Sequence, residues 1–75
     1  MTSAKVKDFD GKKQTVKVGD HIGFKCDIEQ GGKITKIYRD SYGKVTFDLE
    51  NEYGFDGGYI GGETETTERA EDCWI

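Results

Sequence analysis

Apolar and polar residues alternate with period two through Ile22-Gly23-Phe24-Lys25-Cys26 and again through Val45-Thr46-Phe47-Asp48-Leu49-Glu50. Side chains of a strand point to opposite faces in turn, so this pattern predicts two strands with one buried face each. Ala4-Lys5-Val6 and Thr15-Val16-Lys17-Val18 repeat it more weakly. In Lys33-Ile34-Thr35-Lys36-Ile37-Tyr38 the two isoleucines stand three apart, a helical step. A segment this short, between a glycine pair and a turn, cannot form a helix. It predicts a strand whose face is reset by a bulge.

The punctuation between these segments is uniform. Asp8-Phe9-Asp10-Gly11, Asp40-Ser41-Tyr42-Gly43 and Asn51-Glu52-Tyr53-Gly54 each carry Asp or Asn first and Gly fourth. The first side chain can accept backbone N–H groups two residues on, and the glycine takes the left-handed conformation of a hairpin loop closed by a bulge. Three such loops predict an antiparallel meander. The second sets a register for 33–39 against 44–50: Asp40 facing Lys44, Ile37 facing Phe47, Lys36 facing Asp48 and Thr35 facing Leu49. One face of that hairpin is then apolar and the other holds an ion pair.

Near the C-terminus the pattern changes. Thr67-Glu68-Arg69-Ala70-Glu71-Asp72 offers an N-cap and helix-compatible residues, enough for one or two turns. Cys73-Trp74-Ile75 follows, and Trp74 is expected to be mostly buried. Five or six short antiparallel strands with a short helical turn before the last predict an all-β fold, a small closed SH3-like barrel. Closure would remove the edges that short strands otherwise expose. At 75 residues the chain is a single domain, 1–75, with 1–17 a basic hairpin or extension.

Charged residues make up 35% of the chain and hydrophobic ones 33%, with a mean hydropathy of −0.77. That balance leans toward disorder, but 12% aromatic residues and no proline argue for a packed fold. No run of apolar residues is long enough to span a membrane. The first residues lack the apolar segment of a secretion signal, so the expected location is the cytoplasm, with Cys26 and Cys73 as free thiols. Cys26, in phase with Ile22 and Phe24, reads as a small buried hydrophobe. The net charge of −4 is unevenly spread: residues 1–17 hold five lysines against two aspartates, and residues 46–75 hold nine acids against one arginine.

Val18-Gly19-Asp20-His21-Ile22-Gly23-Phe24 followed by Gly32-Lys33-Ile34-Thr35-Lys36-Ile37 resembles the opening of KOW-type and other SH3-like modules. From Val18 through Gly54-Phe55-Asp56-Gly57-Gly58-Tyr59-Ile60 to Cys73-Trp74-Ile75 the chain also resembles small proteins encoded by tailed bacteriophages. The first resemblance implies a binding barrel, and the second implies work in a host bacterial cytoplasm. The segment that is often basic in nucleic-acid-binding KOW members reads Asp27-Ile28-Glu29-Gln30-Gly31 here, which argues against carrying RNA binding over.

Among candidate chemistries, Asp48-x-Glu50-x-Glu52-x-Gly54 starts like a calcium loop but lacks the glycine and the distal glutamate that loop needs. The glycine-rich 54–62 lacks the Gly-Lys-Ser/Thr of a phosphate loop. Its glycines fit loop closure or close approach of a partner strand. His21 beside Asp20 could pair a base with its orienting acid, but no nucleophile is placed to use them. No metal site, cofactor or enzymatic activity is expected.

The aromatics carry the functional reading. Phe24, Phe47 and Trp74 read as core, whereas Tyr42, Tyr53, Phe55 and Tyr59 sit at turns or beside glycines. With the acids Asp48, Glu50, Glu52 and Asp56 they form the candidate surface of a non-catalytic module that binds a protein partner. Alternatives are a nucleic-acid-binding barrel using Lys5, Lys7, Lys12, Lys13, Lys33, Lys36 and Arg39, with Lys33, Lys36 and Arg39 as its candidate face, and an acidic mimic of nucleic acid. The net charge of −4 argues against the first. A monomer or weak homo-oligomer is expected.

Overall fold

A computed structural model describes residues 1–57 and 59–75, so Gly58 of the glycine-rich run lies outside the described residues. Seven strands form one sheet: β1 (Ser3–Lys7), β2 (Lys13–Lys17), β3 (His21–Cys26), β4 (Ile28–Arg39), β5 (Val45–Glu50), β6 (Glu65–Arg69) and β7 (Cys73–Trp74). Their spatial order is β2-β1-β7-β3-β4-β5-β6. All pairs are antiparallel except β1 with β7. The fold is all-β, as the alternation predicts, but the sheet is not closed: no pairing joins the terminal strands β2 and β6 among the described residues. A 3₁₀ turn, Ala70–Asp72, packs against both β1 and β5. The turn thus bridges β1 and β5, the strands next to the two open ends of the sheet.

Both Asp-led hairpin loops form as expected. Asp8 Oδ1 accepts the N–H groups of Asp10 and Lys12, and Asp40 Oδ1 those of Tyr42 and Lys44, at 2.9–3.0 Å. Gly11 and Gly43 take φ of +80° and +77°. The backbone N–H of Lys44 is the main reason that the Asp40 carboxyl sits below its usual 3.8. For Asp8 it is the bond from Gln14. A carboxyl that ionises more easily when folded stabilises the fold above its unfolded pKa and loses that contribution as pH falls through the folded value. Melting temperature should therefore drop as pH falls below about 4, and Asp40→Asn should flatten that acid limb. A limb of unchanged steepness in the variant would show that the turn carboxylate is not what titrates.

The third turn forms locally, with Gly54 N–H bonded to the Asn51 carbonyl at 2.9 Å. It does not close a hairpin. It opens a longer loop, 51–64, between β5 and β6.

In the β4–β5 hairpin Ile37 pairs with Phe47 and Lys36 with Asp48, as the turn dictates. Leu49 faces Ile34 rather than Thr35, because the register shifts between Ile34 and Lys36. The bulge that resets the face is Thr35 itself, which leaves both isoleucines buried. The segment 27–31 is not a loop: Asp27, at φ +71°, makes the turn, and β4 runs straight through Gly31 and Gly32.

One core holds the inward residues of every strand except β6: Val6, Val16, Ile22, Phe24, Ile34, Ile37, Phe47, Leu49 and Cys73, with Ala70 and Phe55 added from the connections. Cys26 is only half-buried at its margin. Burial, with Glu68 and Asp72 nearby, pushes the Cys73 thiol up to about 12 and keeps it protonated. Two expectations at the C-terminus are corrected. Residues 67–69 extend β6, and the Thr67 hydroxyl bonds to Asp48 Oδ1 at 3.1 Å instead of capping a helix. Trp74 is mostly buried, as expected, but it lies outside the core instead of within it. Cys73 takes the inward position of β7, so strand alternation turns Trp74 outward, where its indole lies against Gly23.

Candidate functional site

The loop 51–64 is long but firmly held. Asn51 N–H bonds to the Thr64 carbonyl, Phe55 N–H to the Glu63 carbonyl and Gly62 N–H to the Phe55 carbonyl, at 2.7–2.9 Å. Asp56 N–H bonds to Gln30 Oε1 at 3.0 Å, while Gln30 Nε2 bonds to the Cys26 carbonyl at 2.9 Å. These bonds fasten the loop to the β3–β4 end of the sheet.

Phe55 completes the attachment and overturns its reading as a surface anchor. It is 2% exposed, and its ring meets the edge of Phe24 at 5.6 Å between centroids. Gly32 makes room for it, since a Cβ there would stand 3.4 Å from the Phe55 ring and 3.3 Å from Leu49. The sequence held a signal for this. Among the aromatics of the 51–64 loop Phe55 alone lacks a hydroxyl to keep wet.

Tyr53 and Tyr59, 91% and 92% exposed, stand on the same loop. Glu52, Asp56 and Glu63 are exposed around them. Tyr42 is exposed too, but on the loop at the other end of β5. There the Arg69 guanidinium lies 5.5 Å from its ring centre and bonds to Asp40 Oδ2 at 2.9 Å. Tyr53, Tyr59, Glu52 and Asp56 thus share one loop, while Tyr42 belongs to a separate cluster.

Two of the candidate acids already have partners. Asp48 accepts hydrogen bonds from the Tyr38 and Thr67 hydroxyls, and the first raises the Tyr38 phenol above its usual 10.0. Glu50 pairs with Lys33 at 3.1 Å. A shallow cleft of about 320 Å³ lies where β4 meets the loop, lined by His21, Lys33, Glu50, Glu52 and Tyr53 among others. Asp20 does not orient His21 there. Its Oδ2 accepts the Lys17 N–H at 2.9 Å and holds a turn.

Lys33, Lys36 and Arg39 do not share one cationic face. Lys33 stands opposite Glu50, and Lys36 opposite Asp48 with its ammonium 5.2 Å from the Tyr38 ring centre. Arg39, opposite Val45, is turned to the other side and donates to the Gly43 carbonyl at 2.8 Å. Among the described residues no three His, Cys, Asp or Glu are grouped to hold a metal, and no helix is long and apolar enough to cross a membrane. No protein family, curated protein or solved structure matches the chain.

Proposed function

We propose that this chain is a non-catalytic binding module whose 51–64 loop contacts a protein partner with a basic surface. One observation carries the reading: two tyrosines, each more than 90% exposed, stand on a loop anchored from beneath by a buried phenylalanine. Exposed aromatics on a fixed backbone offer contact area without an ordering cost on binding. The surrounding carboxylates favour encounter with a cationic surface. The 3₁₀ turn before the last strand supports viewing the fold as an open relative of the SH3-like barrel. The resemblance to small phage proteins makes a host protein of the bacterial cytoplasm the partner to look for, with the module acting as an effector on it.

The test compares the wild type with the double variant Tyr53→Ser/Tyr59→Ser as baits in cell lysate, with captured proteins quantified. Melting temperature should not change, because neither ring is packed. Proteins captured by the wild type above an unrelated acidic bait should be lost from the variant. Equal capture by the two would overturn the reading.

A further inference from the structure

A second surface, on the opposite chemical footing, comes from strand register. Lys13 of β2 pairs with Lys7 of β1, Lys7 with Trp74 of β7, Trp74 with Gly23 of β3, and Gly23 with Gly31 of β4. Paired residues share a face, and their neighbours Val6, Ile22 and Cys73 point into the core. One row on the outer face thus reads Lys-Lys-Trp-Gly-Gly across five adjacent strands. Lys5 and Lys17 occupy the same face of β1 and β2, with Lys25 on β3.

Two features of this row are poor choices for stability alone. Lys7 and Lys13 are like charges directly opposite each other, an arrangement that costs stability. The acid nearest in sequence does not relieve it, because the Asp8 carboxylate is taken up by two turn N–H groups and the Gln14 amide. Nearby Glu29 stands opposite Lys25, and Glu71 pairs with Lys44 at 3.8 Å. The adjacent glycines weaken two strands at once. Gly23 has a packing reason, since the Trp74 indole occupies the place of its side chain. Gly31 has none among the described residues, where the one atom near its missing Cβ is the Ile22 carbonyl oxygen, at 3.7 Å. Bare backbone therefore lies beside a partly buried indole and next to a cluster of lysines.

We propose that this face binds single-stranded nucleic acid, with Lys5, Lys7, Lys13 and Lys17 along the phosphates and a base laid against Trp74 over the open Gly31 backbone. A basic strip beside an aromatic platform is the means by which single strands are held without regard to sequence. The net charge of −4 does not oppose it, because the acids concentrate in 46–75 and four of the five lysines of 1–17 lie on this face. The lysine row lies on β1 and β2, away from the tyrosine loop, and only Gly31 at its far end also lines the cleft bordered by Glu52 and Tyr53.

Trp74 is the only tryptophan, so its fluorescence reports the platform directly. The whole chain is titrated with twelve-residue oligo(dT) and oligo(rU) at 50 mM salt. Saturable quenching by either supports the proposal, and the ratio of the two shows whether DNA or RNA is preferred. Four phosphate contacts predict an affinity about 50-fold weaker at 200 mM salt. In Lys7→Gln/Lys13→Gln the logarithmic salt slope should fall from about −2.8 to about −1.4. Gly31→Val should melt no lower than the wild type, yet bind about tenfold more weakly because its side chain occupies the platform. That separation of stability from affinity is one that a purely structural glycine would not give. Three results would each overturn the proposal: no saturable quenching by either oligonucleotide, equal quenching by a poly-glutamate peptide, or an unchanged salt slope in the lysine variant.

Discussion

Phe55→Ala should lower the stability of this domain by about 3–5 kcal/mol, the range for removing a large aromatic from a core. For a chain of this size the whole folding free energy is roughly 4–11 kcal/mol, so the substitution should remove a large share of it. Among the described residues of the 51–64 loop Phe55 alone is buried, and it packs against Phe24 and Gly32. Without the ring the loop keeps its hydrogen bonds to Gln30 and to its own stem and the partly buried Ile60. At ~1.5 kcal/mol per molar urea the midpoint should fall by about 2–3 M. Tyr53→Ala and Tyr59→Ala on the same loop should each stay within about 0.5 kcal/mol of the wild type. A midpoint for Phe55→Ala as high as for the tyrosine variants would mean that the ring is no plug. The reading of the loop as a rigid presenter of tyrosines would then fail with it.

The contrast among these three aromatics shows what the sequence can and cannot convey. Turn chemistry is local, so the Asp8 and Asp40 loops, the Ile37–Phe47 register and the Thr35 bulge follow from a few neighbouring residues. Burial of Phe55 depends on Gly32, more than twenty positions away, and a glycine reads as a loop signal until the ring it accommodates is known. The same ambiguity hid β4. Gly31 and Gly32 look like a break, yet one leaves room on the inner face for Phe55 and the other bares the outer face beside Gly23. Closure of the sheet was no more legible, because it turns on whether β2 and β6 find each other, and no local signal encodes that. Individual lysines were plain to see in 1–17, but their assembly into one face required the register of β1 with both β2 and β7.

Gly23→Val should cost about 2–3 kcal/mol, although valine is the better strand former. A Cβ at this position would stand 2.4 Å from Trp74 Nε1 and 2.8 Å from Cε2, so the indole must leave its place on the sheet. The consequence reaches further than one contact. β7 is two residues long and stands between β1 and β3. Among the described residues it therefore carries the strand pairing of the β1–β2 hairpin to the rest of the sheet, with Gly19 and Asp20, just past β2, adding bonds to Ile34. Ile75 N–H to the Lys7 carbonyl, at 2.9 Å, belongs to the same seam. Displacing Trp74 should loosen that seam first. Tryptophan emission should shift to the red, and amide protection should fall in β1 and β2 before it falls in β4 and β5. The double variant Gly23→Val/Trp74→Ala separates this from a generic strand defect. With the indole gone the valine has nothing to strike, so the pair should cost clearly less than the sum of the two single changes. Strict additivity, or hydrogen exchange that rises evenly over all seven strands, would show that Trp74 does not hold the hairpin in place.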